Sequence, residues 1–212
     1  MSYTVKEIYY TLQGEGVHTG RGAVFLRFAG CNLWSGREED RATATCQFCD
    51  TDFVGMDGSR GGRYASADEL AIVVEGCWNE SIDSGNRFCV CTGGEPLLQL
   101  DEALIQSLKE RGFEVAVETN GTLEVPPGID WVCVSPKAGA ELVQTSGHEL
   151  KIVFPQGDLD PSNFLDLDFD HFSLQPMDGA DAANNLRITR DYCLKHPRWR
   201  LSLQVHKILG IP

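Results

Sequence analysis

Three cysteines offer the plainest chemistry in this chain: Cys31, Cys46 and Cys49. Two residues separate the last pair, and fourteen separate that pair from the first cysteine. All three lie in a polar loop. Cys77, Cys89, Cys91, Cys133 and Cys193 instead sit inside apolar runs and read as small buried hydrophobes. Three thiolates on one loop suit a soft metal centre, an iron–sulfur cluster above all. Such clusters commonly take four protein ligands, and this loop offers no fourth, so one iron is left to a ligand from outside the protein. A rival reading adds His18 as a fourth ligand and makes the loop a closed zinc module that only binds a partner.

Other polar groups recur in short motifs. LQGEG, from Leu12 to Gly16, flanks a carboxylate with two glycines, whose backbone can approach a ligand closely. Arg27 is the only charge in the apolar run GAVFLRFA, so it needs an anion, either a structural carboxylate or one on a substrate. Thr51 and Asp52 follow the last cysteine of the loop with oxygens fit for a hard cation. TGGEP, ETNG, SPK and QPMD come later, at 92–96, 118–121, 135–137 and 175–178.

Each of these motifs needs an element to carry it. The hydrophobic pattern predicts strands over residues 3–10, 22–29, 87–92, 113–119, 131–134, 149–154, 171–174 and 201–205. It predicts helices from Ser66, with Glu69 completing a capping box, from Asp101 to a C-capping Gly112, and over 182–196. Residues 53–65 read as a glycine-rich exposed connection. Alternating strands and helices predict a parallel sheet curved into an incomplete β/α barrel. The cysteine loop, TGGEP, ETNG, SPK and QPMD then all fall at strand C-terminal ends, the face where barrels of this kind place their sites.

The whole chain narrows the class. Its 212 residues suffice for one α/β domain, 1–212, with an atypical insert at 32–45. The balance of 18 Lys+Arg against 31 Asp+Glu, a net charge of −13, disfavours nucleic acid as a partner. No apolar run is long enough to span a bilayer, and the opening residues lack the pattern of a signal peptide, so we expect a cytoplasmic protein. Eight cysteines in such a chain do not suggest a disulfide framework.

LQGEG, RFAGCNLW, CQFCDTDF, TGGEP, ETNG, SPK and QPM, in that order across residues 12–177, resemble the 7-carboxy-7-deazaguanine synthase family of radical S-adenosylmethionine (SAM) enzymes. The usual spacing in that superfamily leaves three residues between the first two cysteines and two between the last. This chain keeps the second spacing and departs from the first, as family members with long inserts do. An activase that makes a glycyl radical on a partner protein is disfavoured, because there is no second run of clustered cysteines.

The resemblance implies a ring-contracting lyase that turns 6-carboxy-5,6,7,8-tetrahydropterin into 7-carboxy-7-deazaguanine and ammonia, in queuosine and 7-deazapurine biosynthesis. SAM acts catalytically as the source of a 5′-deoxyadenosyl radical, so no side chain carries the bond-breaking step. Cys31, Cys46 and Cys49 would hold a four-iron four-sulfur (4Fe-4S) cluster, and Thr51 a magnesium ion (Mg2+). SAM would meet Phe48, Gly93, Gly94, Glu95, Ser135, Pro136, Lys137, Gln175, Pro176, Met177 and Asp178. The pterin would meet Leu12, Gln13, Gly14, Glu15, Arg27, Thr92 and the carboxylate of Pro212. A flavodoxin-type electron donor and a homodimer complete the expectation.

Overall fold

The structure is a computed structural model that describes residues 2–81 and 85–212. Its strands are β1 (Tyr3–Leu12), β2 (Gly22–Phe28), β3 (Gly62–Tyr64), β4 (Phe88–Gly93), β5 (Glu114–Thr119), β6 (Trp131–Val134), β7 (Ser146–Phe154), β8 (Asp168–Pro176) and β9 (Trp199–Leu201). Its α-helices are α1 (Ala67–Ser81), α2 (Glu102–Glu110), α3 (Ala182–Lys195) and α4 (Val205–Leu209). All the strands join one sheet in the order β3-β1-β2-β4-β5-β6-β7-β8-β9. From β2 to β9 every neighbouring pair is parallel. The barrel stays open, with β3 and β9 at its two edges.

Period-two alternation gives the sheet two unlike faces. Val24, Leu26 and Phe28 of β2, Cys89 and Cys91 of β4, and Val115 and Val117 of β5 point to the helix side. There they pack against Leu70, Val74 and Cys77 of α1 and Leu104, Ile105 and Leu108 of α2. Full burial of each such leucine contributes about 1.5–3 kcal/mol. The concave face has a smaller apolar floor of Ala23, Phe25, Phe88, Val90 and Ala116, closed by Tyr9 and Trp131. One step further along each strand, the inward position turns polar: Arg27, Thr92, Glu118, Ser135, Lys151 and Gln175. Alternation and strand direction together therefore gather the polar groups on the C-terminal rim.

The helix ends follow their capping residues. The Glu69 backbone N–H donates to Ser66 Oγ, and the Glu69 carboxylate accepts from the Ala65 N–H. Asp101 accepts from the Leu104 N–H at the start of α2, and Gly112 takes a φ of 78° beyond its end.

Three local expectations change. The sheet is not wholly parallel, because β1 pairs antiparallel with both β2 and β3. Residues 53–65 are not all exposed: Phe53 is buried under Trp34, and Gly62–Tyr64 adds an edge strand to β1. The strand expected at 201–205 lies earlier, at Trp199–Leu201, because buried Trp199 packs on Phe172 of β8. Ser202 then bonds Leu174 and Gln175, and the chain turns into α4 across the mouth.

Candidate active site

Cys31 leaves the tip of β2 through Gly30, and its sulfur accepts from the Leu33 N–H at 3.4 Å. The TGGEP tip of β4 packs directly behind it. A Cβ at Gly94 would stand 2.2 Å from the Gly30 oxygen and 2.7 Å from the Cys31 Cβ, and one at Gly93 would stand 2.3 Å from the Phe28 oxygen. Glycines are required here so that one strand tip can lie against the next. The Glu95 N–H then donates to the Gly30 carbonyl at 2.9 Å. The Glu95 side chain is fully buried, and burial pushes its carboxyl up. It accepts from the Leu97 N–H, Thr119 Oγ1 and the Asn120 N–H, which ties the ends of β4 and β5 together.

The Cys46 and Cys49 thiols interact closely, which lowers Cys49 and raises Cys46. Among the described residues no three thiol, imidazole or carboxylate groups converge on a single metal ion. A cubane spreads three thiolates over three different irons, so its ligands need not meet at one point, whereas a structural zinc ion needs four that do. His18 does not complete such a zinc site. Its ring packs on Phe88 and Trp131, at the apolar floor. The donor set therefore fits an open-cornered cluster.

Cys46 and Cys49 border a cavity of about 170 Å³. Phe48, Gly93, Gly94, Ser135, Lys137, Gln175, Pro176, Met177 and Asp178 line it too. Two residues expected with them do not. The Glu95 side chain is spent as above, and Pro136 is buried with its carbonyl accepting from Gln156 Nε2 at 3.0 Å. Lys137 Nζ donates to both oxygens of Ser135 at 2.6 Å. Burial lowers its pKa, and the thiols of Cys46 and Cys49 oppose that shift.

A second cavity, of about 260 Å³, adjoins the first. Leu12, Gln13, Gly14, Glu15, Arg27, Thr92 and Pro212 all line it, as does Thr51. Glu15, Asp50, Thr51, Glu118 and Gln204 border both cavities. Arg27 Nε pairs with Glu7 at 2.8 Å and its Nη2 donates to the Tyr9 hydroxyl at 2.7 Å. These side chains meet because Glu7 and Arg27 are cross-strand partners in β1 and β2. Gly14 lets α4 come close: a Cβ there would stand 2.2 Å from His206 Nδ1. The Pro212 oxygen accepts from Thr11 Oγ1 at 2.9 Å.

Sequence reasoning missed the groups that hold this second wall. Lys151, 5 % exposed, donates to Glu15 at 2.7 Å and to Glu118 at 3.4 Å. Burial alone would raise the Glu15 carboxyl, but the Lys151 ammonium and the bonds from Lys151 and Gln204 outweigh it and hold the carboxyl at about 2. Lys207 of α4 bridges Asp50 and Asp178, and so ties the tail to the cysteine loop and to the tip of β8. One signal was available for Lys151: an unexplained cation inside an apolar strand.

No family model matches the chain. The 7-carboxy-7-deazaguanine synthase of Bradyrhizobium diazoefficiens is 64 % identical over the full length of both chains. Those of Caulobacter vibrioides and Bordetella pertussis are each 61 % identical, again over the full length of both chains. The crystal structure of QueE from Escherichia coli superposes with a TM-score of 0.70 at 29 % identity, covering 97 % of this chain and 95 % of that one. Full-length identity of this order, on an open barrel with the cysteine triplet at its mouth, identifies the chain as a member of the 7-carboxy-7-deazaguanine synthase family of radical SAM enzymes.

Proposed function

We infer that this chain converts 6-carboxy-5,6,7,8-tetrahydropterin into 7-carboxy-7-deazaguanine with release of ammonia, as one radical SAM domain spanning 1–212. One observation carries the reading beyond family membership: two cavities of unlike lining share a wall at Glu15, Asp50, Thr51, Glu118 and Gln204. A cofactor in the first cavity and a pterin in the second would face each other across it.

Cys31, Cys46 and Cys49 would hold the 4Fe-4S cluster by three thiolates and leave its remaining position to SAM. Cluster and SAM, when bound, supply the electron and the carbon radical that begin the reaction. The chain binds, orients and shields. Phe48 and residues 175–178 take the adenine side of SAM, and Gly93 and Gly94 take its amino end. Ser135 and Lys137 take the ribose and carboxylate side. Glu95 and Pro136 serve the same site from beneath by fixing the strand tips.

In the second cavity Arg27, whose Nε and Nη2 are held by Glu7 and Tyr9, turns its remaining Nη1 to the substrate carboxylate. Leu12, Gln13, Gly14 and Thr92 border the ring. Glu15 accepts from the pterin's donor edge; each of its oxygens accepts one bond in the structure and has capacity for another. Lys151 keeps its proton and so keeps Glu15 ionised. Thr51 offers the single protein oxygen to magnesium, in keeping with a cation that retains water and substrate oxygens. Pro212 lies at the rim. The enzyme works as a cytoplasmic homodimer supplied with electrons by a flavodoxin-type protein. No helix among the described residues is long and apolar enough to cross a membrane.

Anaerobically reconstituted protein, incubated with SAM, magnesium, a reductant and the carboxypterin, should develop the ultraviolet spectrum of the deazaguanine. A protein with full iron and sulfide that forms no such product would overturn the assignment.

A further inference from the structure

Fourteen residues separate Cys31 from Cys46, yet the loop is far shorter in space. The Leu33 carbonyl accepts from the backbone N–H of Thr45 at 3.2 Å and of Cys46 at 3.4 Å. Residues 34–44 therefore leave at Leu33 and return to it. Setting aside those eleven residues leaves three between the cysteines, Asn32, Leu33 and Thr45.

The excursion has its own small core. Trp34 is 7 % exposed and stands edge-on to buried Phe53, with ring centroids 5.6 Å apart. The Arg41 guanidinium lies over the Trp34 ring, 4.0 Å from its centroid. Its Nε donates to Glu38 at 2.7 Å, and its Nη1 donates to the carbonyls of Gln47 at 2.9 Å and Cys49 at 3.1 Å. Gln47 reaches back, its Nε2 donating to the Ala42 carbonyl at 3.1 Å. These two carbonyls flank Phe48, so one planar cation grips the segment that carries two of the cysteines. An ammonium lacks both the fork and the stacking face.

We propose that residues 34–44 are a closed splint that preserves an effective spacing of three and two between the cysteines, and that Arg41 is the positioning residue that holds the Cys46–Cys49 segment ready for metal. The proposal rests on the three cysteines being the cluster's ligands. Supports of metal ligands typically change metal retention by about 10–100-fold.

The test begins with metal-free protein. Arg41→Met should speed amide hydrogen exchange at residues 46–50 by about tenfold while exchange in the β-strands stays unchanged. After reconstitution, the variant should carry the parent's iron and sulfide but lose iron to a chelator about tenfold faster. Arg41→Lys should rescue neither quantity. Deleting residues 34–44, which leaves Asn32, Leu33 and Thr45 between the first two cysteines, or adding Gly-Ser-Gly after Glu39, should leave iron uptake at the parent's stoichiometry. If the excision variant misfolds, the extension variant decides the spacing. Unchanged exchange and iron loss in Arg41→Met, rescue by lysine, or a folded extension variant that takes up no iron would each overturn the proposal. A parent chain that binds no iron would instead overturn the ligand assignment beneath it.

Discussion

The two adjoining cavities are walled by different physics. Backbone strapping builds the first. Glu95 binds the tips of β4 and β5, and Gln156 holds the SPK turn through the Pro136 carbonyl and the Ala138 N–H. Charges and the two ends of the chain build the second. The LQGEG loop comes from the start and α4 from the finish; Arg27–Glu7 and Lys207–Asp50 stand on this wall, and Glu15–Lys151–Glu118 stands where it is shared with the first cavity. The straps of the first wall end mostly on peptide groups, and of the two side chains that make them, Glu95 and Gln156, only Glu95 titrates. A wall of ion pairs stands only while each partner keeps its charge.

The largest effect should come from emptying the first cavity alone. Cys46→Ala should abolish the brown colour, the iron content and the reductive cleavage of SAM. If the two walls are independent, calorimetric binding of a pterin analogue should stay within a few-fold of the parent. Retention of iron and SAM cleavage would remove Cys46 from the ligand set.

Next in size is the charge at the shared wall. Lys151→Met leaves two carboxylates without their buried cation, a loss of about 3–5 kcal/mol in chemical denaturation. The sign with pH follows from Glu15. Its folded value of about 2 lies below the ordinary 4.5, so its pairing stabilises the parent fully above pH 4.5 and fades as pH falls through 2. Without Lys151, burial pushes this carboxyl above 4.5, and the variant should gain stability as pH falls from 8 to 5 while the parent stays flat. An equal pH response in both proteins would show that Lys151 does not set the charge of this wall.

The same contrast explains what could be read in advance. A parallel sheet brings successive C-terminal ends to one rim, so TGGEP, ETNG, SPK and QPMD announce a common site though they are far apart in sequence. Each motif is contiguous, and each stands where an apolar run stops. Lys151 gave no comparable sign, because its partners lie 136 and 33 residues away. The tail is harder to read, because a three-residue strand and a five-residue helix carry too little pattern to place their bounds or, for α4, to announce it. Glu95 is a milder case. Its motif was seen, but a carboxylate at a strand tip gives no hint that backbone N–H groups from the next strand will use it up.

Within the second cavity, smaller changes should separate substrate from metal. Arg27→Ala removes a charge-assisted contact to the substrate carboxylate, worth about 1.5–3 kcal/mol, and should raise KM roughly tenfold to a hundredfold. Iron content and SAM binding should not move. Thr51→Ala should raise the magnesium concentration for half-maximal activity by about tenfold, with KM at saturating magnesium nearly restored. An unaltered magnesium response would take Thr51 out of the metal's shell.

Lys207 should show the smallest effect, and it tests whether the walls are joined. Its ammonium reaches Asp50 at 2.6 Å and also meets Asp178, residues that line the first cavity, while Lys207 itself lines the second. Both carboxylates are nearly half exposed, so water and salt screen these pairs to about 0.2–1 kcal/mol each. Lys207→Ala should therefore leave the denaturation midpoint almost unchanged. If α4 serves both cavities, KM for SAM and for the pterin should rise together, by a few-fold. Raising salt to about 0.5 M should do the same to the parent and little more to the variant, because screening removes only what the substitution has already removed. A rise for the pterin alone would confine the effect of Lys207 to the second cavity and leave the two cavities coupled through the residues they share, Glu15, Asp50, Thr51, Glu118 and Gln204.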